Sequence, residues 1–216
     1  MIITEQKTRD EIVESLNGSE CIFLVGCGEC STTCKTGGEP ELGRMKAFLE
    51  GQGKRVTGIC IPNAPCVLSQ SKAEIAKNMQ AAREAQAILV LACGLGVQSV
   101  RESIRWDAAV IPACNTLCGA VVDAQGNFSE RCSLCGECIL AHTAAVCPTT
   151  LCPKGLLNGP CGGMKKGKCE VDSTRDCAWV VIYNSLAKQN KVSRMKTIRD
   201  AKNHLKSSRP HYIMCS

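Results

Sequence analysis

The chain has 216 residues, of which 18 are cysteine and only seven are Phe, Trp or Tyr, and its net charge is +6. No apolar run reaches the roughly 20 residues that a membrane-spanning helix needs, and the first residues lack the basic and apolar regions of a secretory signal peptide. Cysteine at this density without an export signal is typical of metal sites rather than disulfides, so we expect a cytoplasmic, metal-binding protein.

Regular elements alternate along the first half of the chain. Ile12, Val13 and Leu16 have the spacing of one helix face near residues 7–17. The elements predicted after it are a strand at Cys21–Val25, a helix through Leu42, Met45 and Leu49, a strand at Arg55–Cys60, a helix after Ser71, and then a strand at Ala87–Ala92, a helix at Val97–Trp106 and a strand at Ala109–Pro112. Strands that alternate with helices pair in parallel. We therefore predict an α/β fold with a Rossmann-like parallel sheet of about four strands in residues 1–125.

Cysteines follow the ends of all the predicted strands. The first cysteines after the strands are Cys27, Cys60, Cys93 and Cys114, and the same loops continue to Cys30, Cys34, Cys66 and Cys118. Ligands of an open parallel sheet bind outside the carboxyl ends of its strands. We therefore expect these thiols to gather at one edge, although some of them are alternatively small buried core residues.

The turn after the first strand reads Gly26-Cys27-Gly28-Glu29-Cys30-Ser31. This is close to the dinucleotide fingerprint G-x-G-x-x-G, but Ser31 replaces the third Gly and residues 59–63 offer no acidic side chain for a ribose. The spacing Cys27-x2-Cys30-x3-Cys34 instead predicts three ligands of a cluster. We expect Cys93 to be the fourth ligand, with Cys66 and Cys114 as alternatives.

Residues 131–177 form a second cysteine-rich region, with eight cysteines, six glycines and no aromatic residue. So few large apolar side chains do not build a core, and domains of this size usually need metal or disulfide cross-links. We therefore predict a metal-stapled, loop-rich domain in residues 126–187, whose C-terminal helix covers Ala178–Lys188, and a tail in residues 188–216.

The spacing Cys132-x2-Cys135-x2-Cys138, followed by Cys147-Pro148, is typical of a bacterial ferredoxin cluster, except that the last gap has eight residues. In that pattern the cysteine before proline serves another cluster. A second four-thiolate site then combines Cys147 or Cys152 with Cys161, Cys169 and Cys177. Zinc accepts four thiolates equally well and stays open as the metal. We expect His142 to be exposed or to lie outside the ligand set.

Residues 188–216 form a basic tail with eight Lys or Arg and one Asp. Its only aromatic residue is Tyr212, so support for nucleic-acid stacking is poor. We expect a solvated surface segment, with docking onto a partner protein as the alternative, and we expect Cys215 to play no part in metal binding.

The cysteine-rich region also contains longer motifs. They are Cys132-Ser-Leu-Cys-Gly-Glu-Cys138, Cys152-Pro-Lys-Gly-Leu-Leu-Asn-Gly-Pro-Cys-Gly-Gly163, Gly167-Lys-Cys-Glu-Val171, Asp176-Cys-Ala-Trp179 and Ile182-Tyr183. Together they resemble the methylenetetrahydrofolate reductase C-terminal domain family. With an α/β domain in front, the chain resembles the small subunit of the two-subunit reductases of acetogenic bacteria.

The resemblance implies an accessory subunit of the Wood–Ljungdahl methyl branch, with no catalytic residue of its own. It implies one to three [4Fe–4S] clusters, possible zinc at one site, and FMN on a partner flavoprotein subunit that reduces methylene- to methyltetrahydrofolate. The expected electron donor is ferredoxin or a dehydrogenase or electron-bifurcating module. Two alternatives remain: a zinc-stapled scaffold of the same reductase without electron transfer, and a zinc-ribbon nucleic-acid binder.

Overall fold

A computed structural model describes residues 1–211 and 213–214. The expectations for Tyr212 and Cys215 therefore lie outside the described residues. The chain divides into two compact units, Met1–Cys118 and Gly119–Ser216. Within the described part, no helix is both long enough and apolar enough to cross a bilayer.

Strands and helices alternate in the first unit, as in other α/β proteins, whereas the second unit contains fewer regular elements. The strands are β1 (Ile2–Gln6), β2 (Cys21–Val25), β3 (Arg55–Cys60), β4 (Ala87–Val90), β5 (Ala109–Pro112), β6 (Cys114–Val122) and β7 (Phe128–Cys132). The helices are α1 (Arg9–Ser15), α2 (Cys30–Thr33), α3 (Glu39–Gly51), α4 (Leu68–Lys77), α5 (Met79–Glu84), α6 (Gly94–Ser103), α7 (Pro148–Leu151) and α8 (Ala178–Lys188). Short 3-10 helices cover Leu140–His142, Val192–Lys196 and His204–Ser207.

The predicted α/β fold is confirmed by a four-stranded parallel sheet of order β3-β2-β4-β5. Strand β2 is buried on both faces, which explains its continuous apolar sequence. Ile22 and Leu24 pack into one core cluster with Leu42, whereas Phe23 and Val25 pack into the opposite cluster. The sheet therefore separates two apolar layers, and helices cover both.

The helix predicted to start after Ser71 differs from the one observed. It begins at Leu68, because the Ser71 hydroxyl does not cap it but donates to the Pro65 carbonyl oxygen at 2.8 Å. It also ends before Asn78, whose side chain donates to the Glu74 carbonyl oxygen at 3.0 Å, and α5 starts anew at Met79. The region that we predicted as one helix therefore forms two, α4 and α5.

A second sheet, of order β1-β6-β7, did not emerge from the sequence patterns. Strands β6 and β7 pair antiparallel around a turn in which the Asp123 carboxylate accepts the N–H groups of Gln125 and Asn127. Two cysteines that we expected in the loop after β5 lie in this sheet instead, since Cys114 and Cys118 belong to β6.

The second unit is poor in regular structure and gathers its apolar side chains around α8. Trp179, Ile182 and Leu186 are buried there against Leu156 and Met164. The indole Nε1 of Trp179 donates to the Leu156 carbonyl oxygen at 3.0 Å, which ties the helix to the loop that precedes it in sequence. Cys177, directly before the helix, is also a buried member of this core.

Candidate metal centres

The loops after β2, β3 and β4 meet at the carboxyl edge of the parallel sheet. The strands end level, because Val25 lies opposite both Cys60 and Val90. The Gly28 N–H then donates to the Pro62 carbonyl oxygen at 3.0 Å, which joins the first loop to the second. The second loop also contacts the first turn of α6, which follows the third loop, since a Cβ on Gly96 would lie 3.1 Å from the Pro65 ring.

This contact brings four thiols into one neighbourhood. Cys27 and Cys93 are buried, Cys30 is half-buried and Cys66 is exposed. Burial first, and then the nearby thiols of Cys93, Cys27 and Cys30, raise the pKa of Cys66. That these thiols form one ligand group stays a prediction.

Other cysteines of the same unit are engaged differently. Cys34 Sγ donates to the Ile2 carbonyl oxygen at 3.8 Å, and Cys114 Sγ donates to the Thr36 carbonyl oxygen at 3.7 Å. Burial raises the pKa of Cys114 to about 12, and burial together with Glu74 raises the pKa of Cys60 to about 12. Cys60 packs in the apolar cluster beneath β2 and behaves as a small core residue.

In the second unit, a small cavity of about 20 Å³ has four cysteines among its lining residues. They are Cys152, Cys161, Cys169 and Cys177. Cys177 is the N-cap of α8, and its N–H donates to the Gly167 carbonyl oxygen at 2.8 Å, so the hairpin that carries Cys169 is fastened to the helix start. Cysteines that are separated by up to 25 positions thus share one cavity wall.

Charged side chains border this cavity. The Cys161 thiol donates to Glu170 Oε2 at 3.3 Å, and Lys154 Nζ lies 2.6 Å from the same oxygen. Hydrogen bonding from Lys154 is the main cause of the lowered pKa of Glu170, and hydrogen bonding from the Cys161 thiol lowers this pKa further. Lys154 thus places a positive charge at the edge of the cavity.

The Cys132–Cys138 loop turns back on itself at two residues with positive φ, Leu134 and Gly136. The Leu134 N–H donates to Cys132 Sγ at 3.5 Å, a contact of the kind that stabilises cluster thiolates. Cys138 lines a wider cavity of about 480 Å³ together with the exposed His142. Cys147 lines a different cleft, beside Thr150.

The basic tail is not free in solution along its whole length. Residues 194–206, here called the C-terminal segment, pack against the cysteine-bearing loops. Glu137 Oε2 accepts the Asn203 N–H at 3.0 Å, and Glu137 Oε1 accepts from Lys206 Nζ at 3.0 Å. Hydrogen bonding from Lys202 lowers the pKa of Cys135. The spacing of the tail lysines does not predict these contacts, because they join residues that are more than 60 positions apart in the sequence.

The residues fit a metal centre by their chemistry. Four thiols with a carboxylate beside one of them form a donor set that both zinc and iron–sulfur clusters accept. Across residues 1–211 and 213–214, however, no group of three or more His, Cys, Asp or Glu side chains is arranged to hold a metal ion. The cysteines line their cavity without converging on one point.

Residues 111–205, a little under half of the chain, match the family described as "Methylene-tetrahydrofolate reductase C terminal". All eight cysteines of residues 131–177 lie inside the matching region. No curated protein and no solved structure matches the chain significantly. The matching region is therefore related to methylenetetrahydrofolate reductases, which associates the chain with an oxidoreductase.

Proposed function

We propose, from the relation of residues 111–205 to methylenetetrahydrofolate reductases, that this protein is a MetV-type small subunit of a two-subunit reductase. In this role it relays electrons through iron–sulfur clusters to FMN on a partner subunit, which reduces methylene- to methyltetrahydrofolate. Ferredoxin, or a dehydrogenase or electron-bifurcating module, donates the electrons. The matching region carries the C-terminal domain alone, so the folate and flavin sites are assigned to the partner.

One observation carries this proposal. Four of the eight cysteines in the matching region line a single cavity, namely Cys152, Cys161, Cys169 and Cys177. A bound cluster would supply one-electron redox chemistry, which the side chains of this protein lack. The residues around it would hold and tune it, with the four thiols as ligands and Lys154 as a neighbouring cation.

A second candidate function is a zinc-stapled scaffold of the same reductase. The small size of the four-cysteine cavity, about 20 Å³, and its position beside the buried Trp179 favour a cross-link that completes a small core. Zinc has no redox chemistry, so a protein with zinc at every occupied site would hold the reductase together without carrying electrons.

The test is the content of iron, zinc and acid-labile sulfide per chain in anaerobically purified protein. In addition, electron paramagnetic resonance spectra of the same protein are recorded before and after reduction with dithionite. We expect at least about four iron and four sulfide per chain, with a signal that appears on reduction. Zinc without sulfide would reject the relay and leave the scaffold. A complex with the FMN subunit whose clusters stay oxidised through turnover would also reject the relay.

A further inference from the structure

The C-terminal segment presents an excess of positive charge beside the Cys132–Cys138 loop. We propose that this segment, residues 194–206, is the docking surface for an acidic electron-donor protein. The inference rests on the proposed function, because it names the place where the donor of the relay binds. It assigns the permanently bound FMN subunit to a different surface.

The first support is the charge of the segment. Its cations are Arg194, Lys196, Arg199, Lys202 and Lys206, and its only acidic residue is Asp200. In the part of the chain that the structure describes, Lys206 alone among these cations forms an ion pair, with Glu137. The chain before residue 188 holds nearly equal numbers of acidic and basic residues, so it offers no excess of acid to neutralise the others. An acidic partner would supply the missing counter-charges.

The second support is the way in which the segment is held. Asn158 bonds both the N–H and the carbonyl oxygen of Arg199, and Glu137 accepts the Asn203 N–H at 3.0 Å. These bonds engage the backbone, so they fix the path of the segment and leave the exposed side chain of Lys196 free to contact a partner. A surface that is already ordered loses less conformational freedom on binding than a free tail would.

The third support is the small amount of exposed apolar surface. Ile198 is 76% exposed and Leu205 is 79% exposed, whereas Met195 packs against the core around α8. Two apolar side chains among several cations make a small and mainly polar interface. Interfaces of permanently associated subunits are large and apolar, whereas transient redox complexes bury little surface. The segment therefore suits a donor that binds and leaves rather than the FMN subunit.

The fourth support is the position of the segment relative to the cysteines. Arg199 and Lys202 line the cleft of about 480 Å³ that also contains the exposed Cys138. The Cys132–Cys138 loop has the spacing that predicts a cluster. A donor bound on the segment would thus lie next to the loop that is predicted to receive its electrons.

The experiment measures the binding of an acidic ferredoxin to the full chain, purified anaerobically, by isothermal titration calorimetry at about 50 mM and about 500 mM salt. Lys196→Glu reverses one exposed cation, and Asp200→Lys reverses the one carboxylate of the segment. At the lower salt we expect Lys196→Glu to weaken binding about 5-fold and Asp200→Lys to strengthen it about 5-fold, with both differences lost at the higher salt. Unfolding of a variant does not produce such opposite effects.

Lys72→Glu is the matched control. Lys72 is exposed on α4 and forms no ion pair within residues 1–211 and 213–214, and its substitution changes the net charge as Lys196→Glu does. This variant should bind ferredoxin with the affinity of the parent chain. If it weakens binding as much as Lys196→Glu, the net charge rather than the segment attracts the donor, and the inference is overturned.

Further results would also decide against the inference. If Lys196→Glu and Asp200→Lys both bind as the parent chain does, the segment is not the docking surface, and reducible clusters would still support the relay. If Lys196→Glu instead loses the FMN subunit, or if the parent chain binds phosphatidylserine vesicles with the same variant pattern, the segment serves another partner. A parent chain without iron and sulfide rejects the relay and its donor together.

Discussion

Asn158 pairs with the backbone of Arg199 in both directions. Its Nδ2 donates to the Arg199 carbonyl oxygen at 3.0 Å, and its Oδ1 accepts the Arg199 N–H at 2.8 Å. The Asn158 amide thus forms the same pair of hydrogen bonds with the C-terminal segment that the backbone of a paired β-strand would form. This asparagine belongs to the Leu156-Leu-Asn-Gly-Pro-Cys161 motif, so one residue of that motif anchors the tail.

Asn158→Ala should therefore loosen the C-terminal segment. Loss of two exposed hydrogen bonds should cost about 1 kcal/mol, which raises the open fraction of the segment roughly 5-fold. Trypsin cleavage at Lys196, Arg199 and Lys202 should accelerate by the same factor, because proteolysis follows the open population. Asn184→Ala, at an exposed position on α8, is the control and should be cleaved at the parent rate. Equal rates for the two variants would contradict the anchoring role.

Gly136 lies directly beneath the same segment. A Cβ at this position would lie 2.2 Å from the Lys206 carbonyl oxygen, and the φ of +73° already disfavours other residues. Gly136→Ala should therefore displace the C-terminal segment as well as strain the loop, and trypsin should cleave the segment faster than in the parent protein.

Gly126→Ala separates these two effects. Gly126 has a φ of +86° but no atom within 4 Å of its Cβ position. This variant should show only the backbone strain, about 1–2 kcal/mol, and no faster cleavage of the C-terminal segment. If both variants are cleaved alike, the close approach of Lys206 has no consequence.

The cavity of the second unit predicts how its cysteines are grouped. Cys152→Ser and Cys161→Ser should each lose the same metal equivalent, and the double variant should lose no more than either single variant. Cys147→Ser should remove a different equivalent, because Cys147 lines another cleft. Metal analysis by mass spectrometry measures each loss. If the Cys147→Ser, Cys161→Ser double variant loses only one equivalent, the assignment of Cys147 and Cys161 to different sites is wrong.

The high pKa of Cys60 predicts its reactivity. With a pKa of about 12, caused mainly by burial, this thiol stays protonated in the folded protein at pH 8. Iodoacetamide should therefore leave Cys60 unmodified in the native, metal-depleted chain and modify it after unfolding, whereas the exposed Cys66 should react in both states. Peptide mass spectrometry reports each site. The folded state holds this proton more tightly than the unfolded state, so the stability of the first unit should fall as the pH rises above 9.

The amino-acid sequence alone determined the parallel sheet. The four strands have the predicted positions, except that β4 ends at Val90, because short continuous apolar runs such as Cys21–Val25 are typical of strands buried on both faces. It also predicted that thiols collect after these strands, since topology places the carboxyl ends of parallel strands at one edge. The family resemblance rested on short motifs in the same way, and the match over residues 111–205 agrees with it.

Only the tertiary structure decided which distant groups meet. Spacing could not distinguish Cys147 from Cys152, because both precede a proline; the cavity beside α8 contains Cys152. Nor could it show that Glu137 bonds Lys206, 69 positions away, or that Asn158 bonds Arg199. Local patterns report the period of a helix or strand. Contacts between loops depend instead on how the whole chain packs, and that information lies in no short stretch of sequence.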